Sequence, residues 1–182
     1  MGVVFYINAM CKVFWLFGRS GAGKTTLALR LRDGLSARQV PVVYFDGDEM
    51  RSTLCSDLGF QSGARQENHR RIAEIARMLT RQNLNVIVST MAPEFPHRDL
   101  VSRIVGDPLV WFYIDAPLAV CVARDPKGIY KRAQAGQLKE LLDYPFDEPR
   151  PRENTHHVDT VTHDVDECYQ LLLNVAVAHL AG

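Results

Sequence analysis

Eight residues near the start of the chain, Gly18-Arg19-Ser20-Gly21-Ala22-Gly23-Lys24-Thr25, match the spacing GxxxxGK(S/T) in full. Glycines at these positions let successive backbone N–H groups curl into an anion-binding nest, and a helix that follows aims its positive end at the same place. Lys24 can reach the β- and γ-phosphates of a nucleotide, and the Thr25 hydroxyl can ligate Mg²⁺. An ordinary glycine-rich turn between strand and helix would share the composition. The surroundings favour phosphate binding: VFWLF precedes the loop, and Leu27, Ala28 and Leu31 continue a helix behind it. The expected ATP-binding set is therefore Gly18, Ser20, Gly21, Ala22, Gly23, Lys24, Thr25 and Thr26.

A second group of chemically active residues is Phe45-Asp46-Gly47-Asp48, where two carboxylates follow an apolar run. Ligands of open α/β sheets bind at the carboxyl edge of the strands. A carboxylate there can hold Mg²⁺ or accept a proton from an attacking hydroxyl. Either aspartate could instead cap a helix beginning at Glu49. For Asp46 the two readings weigh equally, whereas Asp48 reads as functional. The base-reading N-K-x-D of a GTPase is missing from the sequence, and Asp125-Pro126-Lys127-Gly128 spells DxxG behind a helical stretch rather than a strand.

These groups need a scaffold that delivers them to one edge. Apolar runs at Lys12–Phe17, Val42–Phe45, Val86–Ser89 and Leu109–Ile114 have the unbroken character of parallel strands covered on both faces. Helical periodicity separates them. Over Asn68–Gln82, Ile72, Ile75, Ala76 and Leu79 fall on one face, with Arg70, Arg71, Glu74, Arg77 and Arg81 outside it. A last helix is expected from about Val165 to Leu180. Strand and helix alternating in one chain predict an α/β fold, a doubly wound parallel sheet of the P-loop NTPase type with helices on both faces. Asp143–Asn154, with three prolines and six charged residues, reads as a surface loop.

At 182 residues, the length suits one domain, expected over 12–182 behind a leader at 1–11, with Met10 a candidate start. Lys and Arg number 21 against 21 Asp and Glu, so the chain lacks the positive field of a duplex nucleic-acid binder. Val3–Phe17 is interrupted by Asn8 and Lys12 and is too short for a membrane span. Cys11, Cys55, Cys121 and Cys168 form no CxxC, which argues against a metal or disulfide framework and fits a reducing, cytoplasmic setting. The six histidines suggest no partner arrangement and receive no role.

Four stretches, FGRSGAGKTT, DGDEMR, LGF…RQENHRR and YIDAPLAVCVARDPKGIYKRA, stand in the order and at the spacing of the adenylylsulfate (APS) kinases, which the chain resembles from about Lys12 to Ala133. The resemblance implies an ATP- and Mg²⁺-dependent kinase that phosphorylates the ribose 3′-hydroxyl of a small nucleotide, adenylylsulfate. It makes Lys24 and Asp48 the catalytic pair, with Asp48 as base and, beside Thr25, as Mg²⁺ organiser. Asp46, Arg51, Arg65 and Asn68 would hold the acceptor, Phe60 would stack on its base, and Lys127 and Arg124 would belong to a basic lid spanning about 124–150, Arg124 on the ATP side. Members of the family are often dimers, so a homodimer is expected.

Three departures fall on the acceptor side. The family's S-P-Y/F-R after the third strand becomes Ala92-Pro93-Glu94-Phe95, which closes a phosphoserine route and leaves direct in-line transfer. Where Glu94 and Phe95 face the pocket, they make it less welcoming to an anion. Ala64 replaces an acidic residue, and the lid segment is two residues shorter, with Leu141 where the family has a base-stacking Phe. Two alternatives stay open: a related kinase acting on another hydroxyl, for example of a cytidine-diphosphate conjugate, and a non-catalytic nucleotide-binding module.

Overall fold

The sequence VFWLF can be fully buried along its length only if both faces of its strand are covered, and that is how β1 (Val13–Phe17) sits. In a computed structural model, which describes residues 11–137, 146–149 and 155–182, β1 is the central strand of a five-stranded sheet. The others are β2 (Val42–Asp46), β3 (Asn85–Thr90), β4 (Leu109–Asp115) and β5 (Thr155–Asp159), and the order is β2-β3-β1-β4-β5. Every pairing is parallel, with Val13 opposite Val86 and Leu109.

Because side chains alternate across a strand, β1 feeds two cores. Phe14 and Leu16 pack with Leu31, Phe112 and Leu172 on the side covered by α1 (Lys24–Ser36) and α7 (Val165–Ala181). Val13, Trp15 and Phe17 pack with Ile72, Val101 and Trp111. That side is covered by α3 (Ser62–Thr80) and α4 (Phe95–Val105). Shorter helices α2 (Gly47–Ser52), α5 (Leu118–Arg124) and α6 (Ile129–Gln134) line the carboxyl edge of the sheet.

The four apolar runs are β1 to β4, and the expected α/β architecture is the observed one. The α3 helix begins six residues before the periodicity expected, because its first turns are polar. They bury Arg65 and Asn68 rather than aliphatics. Strand β5, THHVD, carries no apolar run, since it lies at a sheet edge and buries only Val158. The arginines of α3 outside the apolar face pair locally, Arg70 and Arg71 with Glu67, Arg71 with Asp57 and Arg77 with Glu74. No helix among the described residues is long and apolar enough to cross a membrane.

Candidate active site

The chain leaves β1 at its carboxyl end, where the strand order reverses direction, and this is the topological switch point of the sheet. A side chain at Gly18 would place its Cβ 2.2 Å from the Ile114 carbonyl, and Gly23, at φ 103°, caps α1 in a left-handed conformation. The loop therefore closes tightly onto β4 at Gly18 and turns into α1 at Gly23. Lys24 Nζ donates to the Arg19 carbonyl at 2.7 Å. Burial, followed by the positive charge of Lys127, pulls the Lys24 ammonium down to about 8.

Asp46 caps α2, one of the two readings weighed from sequence, and its second oxygen faces the phosphate loop. Its Oδ1 accepts from the backbone N–H of Asp48 at 2.9 Å and of Glu49 at 3.4 Å, capping α2. Its Oδ2 accepts from the hydroxyls of Thr25 at 3.1 Å, Tyr44 at 2.8 Å and Ser89 at 3.3 Å. Burial pushes this carboxyl up, but the bonds from Tyr44, the Asp48 amide and Thr25 outweigh it and hold Asp46 below the usual carboxylate range. Asp46 is thus the carboxylate in contact with Thr25. Asp48, expected as Thr25's metal partner, lies two residues on, is 71% exposed at its side chain, and pairs with Lys127.

One cavity of about 1090 Å³ joins the two halves of the site. Its walls include Ser20, Gly21, Ala22, Gly23, Lys24, Thr25 and Thr26 from the loop, Asp46 and Asp48, and Arg51, Phe60, Arg65 and Asn68. Arg124 and Lys127 border it from α5 and the turn after it. Gly18 shapes the loop from beneath rather than lining the cavity. Leu141 lies outside the described residues.

The far wall holds cations against an aromatic face. The Arg51 guanidinium sits 5.0 Å from the centre of the Phe60 ring and donates to the Gly59 carbonyl at 2.9 Å. Arg65, only 8% exposed, donates through Nε to the Phe60 carbonyl at 2.7 Å. Phe60 is 59% exposed, offering its ring to the cavity, and the buried Asn68 Oδ1 makes no hydrogen bond among the described residues. Glu94 and Phe95 do not line the cavity. Glu94 instead accepts from Ser62 at 3.1 Å, so the anion-repelling effect expected of this substitution does not reach the pocket through its walls.

Several wall residues carry no local motif. Thr160 accepts Arg124 Nη1 at 3.0 Å and donates to the Ala22 carbonyl at 3.1 Å, tying α5 to the phosphate loop across the sheet. Ser89, Thr90 and Met91 were findable as the end of an apolar strand at the ligand edge, whereas Thr160 and His163 were not. Histidines without an assigned role do find partners: His69 and His97 stack at 5.4 Å between centres, and His156 lies 3.3 Å from His179.

A family model for adenylylsulphate kinase matches residues 10–159. The chain belongs to the adenylylsulphate kinase family. It is accordingly a phosphotransferase with an alcohol group as acceptor. It is 42% identical to the adenylyl-sulfate kinase of Aeromonas salmonicida over 144 residues, 78% of this chain and 74% of that one. Among solved structures it is similar to the Mycobacterium tuberculosis APS kinase in complex with AMPPNP and APS. That match has a TM-score of 0.84 at 30% identity and covers 91% of this chain and 97% of that one. A hexameric APS kinase from Thiobacillus denitrificans matches with a TM-score of 0.66 at 26% identity, over 94% of this chain and 30% of that one.

Proposed function

We propose that this chain is an adenylyl-sulfate kinase, moving the γ-phosphoryl group of ATP to the 3′-hydroxyl of adenylyl sulfate. The observation that carries the reading is that one cavity is lined by the phosphate loop, by Asp48 and by Arg51, Phe60 and Arg65. The complex of the Mycobacterium relative, which holds an ATP analogue and APS together, supports it.

Phosphoryl transfer asks a protein chiefly for positioning and for cations around the spread charge. Lys24 supplies a fixed charge at the β/γ-phosphates, and Arg124 and Thr160 border the nucleoside end. Arg51 and Arg65 hold the anionic part of the acceptor, while Phe60 stacks on its base. Asp48 accepts the proton of the attacking 3′-hydroxyl as the new O–P bond forms and the bond to the β-phosphate oxygen breaks, releasing ADP. Lys127 pairs with Asp48 where both line the cavity, and holds that carboxylate in place. Ala92 offers no nucleophile, so transfer is direct. The Thr25 hydroxyl and the Asp46 carboxylate fit a hard, oxygen-seeking dication. Mg²⁺ held there would neutralise phosphate charge.

Purified enzyme with ATP, Mg²⁺ and adenylyl sulfate should release ADP and yield a product phosphorylated on the ribose. Turnover confined to another acceptor, such as a cytidine-diphosphate conjugate, refutes the substrate. Tight ATP binding without turnover on any acceptor refutes the enzyme. A homo-oligomer belongs to the same proposal, in line with the hexameric relative, and sedimentation measures it.

A further inference from the structure

The turn that follows β3 departs from the family pattern in sequence, and its backbone is strained. Ala92 has φ 38°, a left-handed value that side-chain-bearing residues rarely adopt, yet it is fully buried. Such a conformation persists only where the surroundings over-determine it, and it tends to mark functional sites. Met91 and Pro93, on either side of Ala92, line the same cavity as Phe60 and Arg65. The Met91 carbonyl also accepts from the Gly18 amide at 3.4 Å, so this turn touches the phosphate loop.

What holds the turn is Arg98, a guanidinium only 4% exposed. Its Nη1 donates to the carbonyls of Ala92 at 2.7 Å and Pro93 at 3.0 Å, and its Nη2 to the carbonyl of Asp147 at 2.8 Å. The planar fork is stacked by two rings, Phe17 at 5.0 Å and Phe95 at 4.8 Å. Asp147 completes the knot from the other side. Its amide donates to the Pro93 carbonyl at 2.8 Å, and its Oδ2 accepts from the Phe95 amide at 2.7 Å. Its neighbour Phe146 packs on Tyr113 and under the guanidinium of Arg19, 4.6 Å from the ring centre. Position 95 carries no cation, while Arg98, one helical turn later, grips backbone.

We propose that Arg98 is a positioning residue for the acceptor: it clamps the Ala92 turn and residues 146–149 into the one arrangement that forms the Met91–Pro93 part of the pocket wall. This rests on the reading that the Phe60–Arg65 end of the cavity takes the acceptor nucleotide. The clamp reaches the loop at 18–25 only indirectly, through the Met91 carbonyl on Gly18 and through Phe146 under Arg19. It grips the Ala92–Pro93 backbone directly, so the acceptor wall depends on it more than the ATP end does.

The test compares Arg98→Met, Asp147→Ala and the double variant Arg98→Met/Ala92→Gly with the parent enzyme. In Arg98→Met the KM for adenylyl sulfate should rise about tenfold, and that for ATP should change less than about twofold. The amides of Phe95 and Asp147 should exchange their hydrogens faster. Asp147→Ala, whose side chain is partly exposed, should shift both readouts the same way by less. Ala92→Gly in the Arg98→Met background should recover part of the lost acceptor KM, because glycine holds the left-handed turn without a clamp. Equal changes in both KM values, a lower melting temperature with unchanged KM values, or unaltered exchange at Phe95 and Asp147 would overturn the proposal. So would a double variant no better than the single. If the parent itself does not turn over adenylyl sulfate, the substrate assignment fails, while the exchange measurement still decides the clamp.

Discussion

Acidifying this protein from pH 7 to pH 5 should weaken it, in large part through one buried imidazole. His69 is 3% exposed, lies against Trp15 and His97, and is held down to about 3 by burial and then by the nearby charge of His97. In the unfolded chain the same group titrates near 6.5. Above pH 6.5 it is neutral in both states and contributes nothing to the pH dependence. Between pH 6.5 and pH 3 the unfolded chain gains a proton that the folded protein refuses, so stability falls as pH falls. At pH 5 the difference amounts to about 1.5 pH units of linkage, or about 2 kcal/mol. Carboxylates held low, such as Glu67 at about 2, lose their contribution mainly below pH 4.5 and scarcely interfere. The assay is urea unfolding at both pH values for the parent and for His69→Met, which carries no titratable group at that site. With a urea slope of about 2 kcal/mol/M, the parent's midpoint should drop by about 1 M more than the variant's. Equal drops would refute the reasoning, since His69 would then charge inside the fold without cost.

Replacing Lys24 with Met should lower kcat by about 10²- to 10³-fold, because a fixed charge is removed from the transferring group; steady-state ADP release measures it, and a rate near the parent's contradicts the assignment. Since free Lys24 titrates at about 8, kcat/KM for ATP should fall as pH rises above that value, and a flat profile to pH 9.5 would show the ammonium to be dispensable. Asp48→Asn should depress kcat much more than it raises the KM for ATP; a loss confined to ATP affinity would make Asp48 structural. Gly18→Ala should cost more than about 2 kcal/mol in thermal or urea unfolding, because its Cβ meets the Ile114 backbone carbonyl at 2.2 Å and backbone must shift.

Much of this protein is written in short windows of its sequence. The phosphate loop needs eight consecutive residues with glycines at fixed offsets, and VFWLF must lie in a sheet covered on both faces, so loop, helix α1 and the four apolar strands follow from local spacing. The order of the family motifs likewise identifies Arg51, Phe60, Arg65 and Asn68, which α2, α3 and the segment between them bring to one wall. Tertiary structure decided the rest. Thr25 meets Asp46 across 21 residues, and Lys127 meets Asp48 across 79; which carboxylate faces which partner depends on where β2 lies relative to β1 and on how α2 is capped. Strand β5 forms because β4 leaves an open edge, not because THHVD favours a strand. Nothing local in the sequence marks Arg98, and only the packing of α4 against the Ala92 turn makes it a buried clamp. Local sequence specifies dihedral angles and which faces are apolar, while the pairing of polar groups across the sheet depends on strand order, which no window of a few residues contains.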